Sequence, residues 1–215
     1  MTGQSYDASR ITVLDFDAGV RAWPGRYFRF GQGDPRLPTA VLSAVAGHVM
    51  HPAAAVAPSH SLSGLVEITA ELSFTVTLDE PHSWEGQEAP APGYFGSLLG
   101  PAWLLPAAAA ALSTRTVVEM WCGGRGFRQE STGLRPVSAP LERAAPAGCG
   151  SRWEFALDGG YFGPGAALSP EPGQLDPCEP ACAGPAGPAG PAGPGRVVVR
   201  DLRDGGWGEV CFPKI

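Results

Sequence analysis

A chain of 215 residues with 44% apolar and 17% charged composition can bury one substantial core, which excludes a disordered chain. Its net charge is −6 and Lys214 is its only lysine, so a chain-wide nucleic-acid footprint is excluded. No cationic apolar leader opens it, and the longest apolar stretch, PAWLLPAAAAAL, is short and broken by proline, so we expect a soluble, cytoplasmic protein without membrane contact.

In chain order, the first element is the short apolar-periodic run ITVLDFDAGV, followed by RAWPGRYF. Pro24-Gly25 reads as a turn that aims Tyr27 and Phe28. From Pro38 to Met50, Val41, Leu42, Val45 and Val49 fall on one helical face, with Pro38 near the start and Pro52 as the stop. LVEITA and FTVTL alternate apolar and polar residues and predict an antiparallel pair. Glu85 to Pro101 reads as a loop, and AWLLPAAAAALS as a helix ending at Ser113, with Pro106 in its first turn or at a kink. RTVVEMWC and RGFRQES, joined by Gly123-Gly124, predict a hairpin, and SRWEFALD a further strand.

Beyond Asp158 the composition shifts to Gly, Pro and Ala, ending in GPAGPAGPAGPG. So short a repeat does not sustain a collagen helix, so residues 159–195 are read as a solvated linker. Residues 196–215 then predict a strand pair that returns to the sheet. Five cysteines (122, 149, 178, 182 and 211) are scattered in a chain that shows no secretion signal, which predicts reduced thiols. Cys178 and Cys182 could hold zinc with Cys149 or Cys211, although no second pair matches them. Together the elements predict an α+β two-layer sandwich, mostly antiparallel sheet with helices on one face.

Three stretches resemble the ATPase domain of DNA gyrase B, of the GHKL type. SYDASRITVLDFDAGVRAWPGRYF is similar to that family's opening arm and Arg-Pro-Gly-x-Tyr corner; ALSTRTVVEMWCGGRGFRQESTGLRPVSAPLE to its Ala-Leu-Ser helix end and hairpin; and GSRWEF and GRVVVRDLR to two later strands. The resemblance spans 1–158 and 196–215. It implies the GHKL sandwich and, for an active member, ATP, magnesium and a topoisomerase role.

The same resemblance implies that the chemistry is missing. The family's first long helix carries a glutamate that activates water and an asparagine that holds magnesium; the aligned residues here are Ser43 and Gly47. Serine is a poor base and glycine offers no ligand atom. His48 and His51 stand nearby at i, i+3, without a third convergent ligand. The adenine-binding aspartate falls on Leu78 by strict strand alternation, or on Asp79 after a one-residue shift. Ser151 begins the predicted strand SRWEFALD and is the other residue through which weak nucleotide binding is implied. In the phosphate lid, GYFGSLLGPAWLLPAAAA keeps Gly96 and Gly100 but places leucine, tryptophan and proline where glycines must let oxygen approach. The residual nucleotide site is therefore Asp79, Gly100 and Ser151, with no catalytic residue and no metal ligand.

The expectation is a stand-alone gyrase B-like pseudo-ATPase, a binding or regulatory protein needing no cofactor. Two alternatives stand beside it: a gyrase B-like protein that still binds ATP and Mg2+, and a zinc-binding interaction protein. By position in the family's exchanged arm, Tyr6 and Ile11 imply a gyrase B-like subunit as partner.

Overall fold

The computed structural model describes residues 14–50, 62–80, 89–169, 171–177, 195–206 and 208–212. Strands β1 (Ser63–Ala70), β2 (Ser73–Leu78), β3 (Ser113–Cys122), β4 (Arg125–Thr132), β5 (Arg135–Pro136), β6 (Leu141–Ala144), β7 (Cys149–Leu157), β8 (Arg196–Asp201) and β9 (Gly208–Phe212) form one sheet. Its order is β5-β4-β3-β7-β2-β1-β8-β9, with β6 also paired to β4. The β1–β8 pairing is parallel and the others are antiparallel. Among the described residues, helices α1 (Phe16–Ala22), α2 (Gly25–Phe28), α3 (Leu37–Met50), α4 (Leu104–Ala111) and α5 (Gly159–Phe162) accompany the sheet, with three 3-10 turns. This is an α+β architecture with a mostly antiparallel open sheet.

Helix α3 forms because its apolar residues recur at helical spacing; Val41, Leu42, Val45 and Val49 are fully buried against β1, β2 and β8. Its C-terminal carbonyl at Met50 accepts the N–H of Gly195, 2.7 Å away, so the chain that enters β8 satisfies the helix end. A side chain at Gly195 would stand 2.8 Å from the Leu62 carbonyl oxygen and 2.9 Å from that of Val49, which is why glycine ends the repeat. Helix α4 lies over β3 and β7, with Pro106 in its first turn where a missing N–H costs nothing.

The opposite face of β3, β4 and β7 is a cross-strand ladder of charge. Arg115 reaches Glu130 at 2.8 Å and Glu154 at 3.6 Å, while Glu119 receives Arg128 at 3.2 Å and Arg143 at 2.6 Å. Each such exposed pair stabilises by a few tenths of a kcal/mol to about 1 kcal/mol. Their consequence is a sheet face that can stand in water.

The Pro24-Gly25 corner does not make a simple turn. It starts the single helical turn α2, and Arg29 follows at φ 70° in the left-handed region. Phe28 is thereby driven into the core, while Arg21 before the corner donates to Asp158 at 2.7 Å and lies over the Tyr161 ring at 4.6 Å. Asp158 also caps α5 by accepting from the N–H groups of Gly160 and Tyr161. The corner therefore staples the N-terminal helices to the end of β7.

Two expectations are corrected. Within the expected linker 159–195, the described residues 159–169 and 171–177 are not solvated throughout: Tyr161, Phe162, Leu168 and Leu175 are buried in the core, and 170 and 178–194 lie outside the described residues. The segment is held by Arg203, which donates to the carbonyls of Leu168 (2.9 Å) and Ser169 (3.1 Å) while pairing with the buried Asp201 at 2.7 Å. Apolar anchors spaced among Gly and Pro suffice to fix it, although its composition resembles a spacer. The reduced-thiol expectation also fails in part, because Cys122 and Cys149 are joined by a disulfide. They are direct cross-strand partners of β3 and β7, a proximity that a separation of 27 residues conceals. Cys211 is a free thiol, and Cys178 and Cys182 lie outside the described residues. No described helix is long and apolar enough to cross a membrane.

Candidate functional site

Strand β2 places Phe74, Val76 and Leu78 inward by period-2 alternation. The same period carries one step past the strand to Glu80, whose side chain is only 5% exposed. One carboxylate oxygen accepts the indole Nε1–H of Trp103 at 2.8 Å, and the other accepts the Ser151 hydroxyl at 2.6 Å. Ser151 is fully buried on β7, directly across from Leu78. Burial pushes the Glu80 carboxyl up to about 7, against the pull of these two donors.

Trp103 ends the 3-10 turn Pro101–Trp103 and is packed on both sides. Its ring meets Trp153 edge-on with centroids 4.7 Å apart, and His48 with centroids 5.4 Å apart. His48 projects from α3, and its Nε2–H donates to the Ala102 carbonyl at 3.0 Å. Burial holds this imidazole below its ordinary value. The result is a carboxyl group engaged by an aromatic N–H and a hydroxyl, with the indole that engages it packed against Trp153 and His48.

The segment before Trp103 is fixed as firmly. Gln129 on β4 accepts from the Leu98 N–H at 2.9 Å and donates to the carbonyls of Gly96 (3.3 Å) and Ser138 (3.0 Å). Leu98 and Leu99 are buried. Gly93 lies so close to the Leu99 carbonyl that no side chain fits there. Glycine at 93 thus serves close backbone packing within the segment.

The sequence-predicted residues do not converge. Ser151 lies in the cluster, but Asp79 points away from it: its Oδ1 accepts the Ser63 N–H at 2.6 Å and its own N–H donates to the Ser63 carbonyl at 3.3 Å, clamping the start of β1 to the end of β2. Gly100 precedes the 3-10 turn of Trp103. Ser43 and Gly47 line a separate cavity on α3, where the Ser43 hydroxyl accepts the Asp176 N–H at 3.3 Å. Tyr6, Ile11 and His51 lie outside the described residues.

Sequence reasoning missed Glu80, which the structure buries against Trp103 and Ser151. The signal was present: carrying the buried parity of β2 one step beyond Leu78 selects Glu80, not Asp79. Trp103 was read only as an obstruction. Its indole N–H is also a donor, and nothing in local spacing reveals that a loop residue will meet a carboxylate 23 residues earlier. Among the described residues, no group of three His, Cys, Asp or Glu side chains is placed to hold a metal ion. No protein-family model matches the chain, and no curated protein matches it.

Proposed function

We propose that this chain is a binding or regulatory protein built on a degenerate gyrase B-type ATPase sandwich, with nucleotide displaced by the chain's own side chains. One observation carries the reading: the buried Glu80 carboxyl, beside Ser151 at adjoining ends of β2 and β7, is engaged by the Trp103 indole N–H. In the family this chain resembles, an aspartate at this strand end accepts the adenine amino group. Here an aromatic N–H from the chain itself makes the equivalent contact, and Trp153 and His48 pack against that indole.

The rest of the machinery supports the same reading. Ser43 and Gly47 offer neither a base for water nor a magnesium ligand at the positions where the resemblance needs them. The segment in place of the glycine lid is held by Gln129 instead of being free to close over a triphosphate. Binding through the N-terminal arm, with Tyr6 and Ile11 contacting a gyrase B-like subunit, is the partner this reading proposes. An ATPase assay tests it: magnesium-dependent turnover by the purified protein is expected at background level. Turnover above background that disappears in Glu80→Ala would overturn the proposal.

A further inference from the structure

A cavity of about 630 Å³ opens beside α3, lined by residues that take no part in the Glu80 cluster. Its floor is the small-residue side of the helix, Ala40, Ser43, Ala44 and Gly47, and Leu105 of α4 also lines it. Tyr27, Phe28 and Phe30 give it aromatic walls, and Gln174, Asp176 and Pro177 contribute from the segment before the repeat. The volume falls in the range of small-molecule sites, and the lining is mostly apolar, the usual character of such sites.

What the cavity would take follows from how its polar groups are already used. Arg36 directs Nε and Nη2 at Asp34, at 3.0 and 2.8 Å, and its guanidinium lies over the Phe30 ring at 4.1 Å. Arg29 and Asp176 have interactions of their own. The Thr39 hydroxyl accepts the Ser169 N–H at 2.8 Å, and the Ser43 hydroxyl accepts the Asp176 N–H at 3.3 Å. An ionised ligand would have to break one of these pairs or bring its charge uncompensated into an apolar site, and both are costly. A neutral ring meets neither cost. The small side chains at 40, 43, 44 and 47 let such a ring approach the helix closely, and the aromatic walls offer it faces and edges to pack on.

We propose that this cavity binds a neutral, mainly apolar small molecule built on one or two flat rings, held by the floor of α3 and the rings of Tyr27 and Phe30. The proposal does not depend on the gyrase B resemblance.

The test compares N-phenyl-1-naphthylamine, which is neutral, with 1-anilinonaphthalene-8-sulfonate, which has the same rings and adds a sulfonate. Fluorescence titration should show saturable one-to-one binding of the neutral probe, at least about tenfold tighter than the sulfonate. In Ala44→Phe, where a ring fills the cavity, affinity for the neutral probe should fall at least about tenfold. Ala40→Phe repeats the obstruction one turn earlier, and near-UV circular dichroism confirms that each variant is folded. Photolabelling of the native protein with benzophenone locates the site without any variant. On irradiation its carbonyl carbon bonds to a neighbouring C–H carbon and the hydrogen passes to oxygen, so the adduct is stable to peptide mapping. Adducts are expected within residues 27–30 or 40–47, and excess N-phenyl-1-naphthylamine should suppress them. No saturable binding of the neutral probe, a sulfonate that binds as tightly, unchanged affinity in both folded obstructed variants, or adducts confined to other parts of the chain would each overturn the proposal.

Discussion

Trp103→Ala is expected to destabilise the protein by about 3–5 kcal/mol, the range for removing a large buried aromatic side chain. The effect has two parts that a second variant separates. Trp103→Phe keeps a ring against Trp153 and His48 but removes the indole N–H from Glu80, and should cost about 1–3 kcal/mol, the penalty for withdrawing one partner from a buried polar group. Urea unfolding with both midpoint and slope recorded measures each value. If Trp103→Phe were as stable as the native protein, the Trp103–Glu80 contact would not be the organising interaction.

Glu80→Gln is expected to be more stable than the native protein above pH 7 and nearly equal to it near pH 4. The direction follows from the raised carboxyl. Below its ordinary value of 4.5, Glu80 is protonated in both the folded and the unfolded chain, and no penalty exists. Between 4.5 and about 7 the unfolded chain ionises while the folded one retains its proton, so native stability falls as pH rises. The gap corresponds to about 3 kcal/mol once pH exceeds the folded value. Glutamine is neutral throughout and can still accept from Trp103 and donate to Ser151. Melting temperatures of the two proteins from pH 4 to 8.5 should therefore diverge in favour of the variant. A constant difference across that range would contradict the burial of an ionisable group at this position.

Much of the fold could be read from period alone. Helix α3 and the two hairpins have apolar residues whose spacing leaves one choice of face, and the Gly123-Gly124 turn, with both φ positive, pins the register of β3 and β4. The buried part of the expected linker escaped because Leu168 and Leu175 are isolated among Gly and Pro, and the carbonyls of Leu168 and Ser169 are held by Arg203 at the far end of the chain. The candidate site was half legible. Ser151, named through the resemblance, lies in the cluster as the partner of Glu80, while Glu80 itself went unread because the motif comparison stopped at Leu78 and Asp79. Trp103 could not be assigned from the sequence, since its partner is set by tertiary packing. The cavity over Ser43 and Gly47 was invisible for a related reason: small residues on a helix reveal an accessible face but not what will stand opposite it.

The central proposal is that the Glu80 carboxyl, at the adjoining ends of β2 and β7, is occupied by Trp103 and Ser151 of the chain itself, so nucleotide does not bind there. Calorimetric titration of the native protein with a non-hydrolysable ATP analogue and magnesium tests this most directly. The predicted result is no saturable heat at analogue concentrations up to the millimolar range. A one-site isotherm with micromolar affinity that is abolished by Ser151→Ala would contradict it.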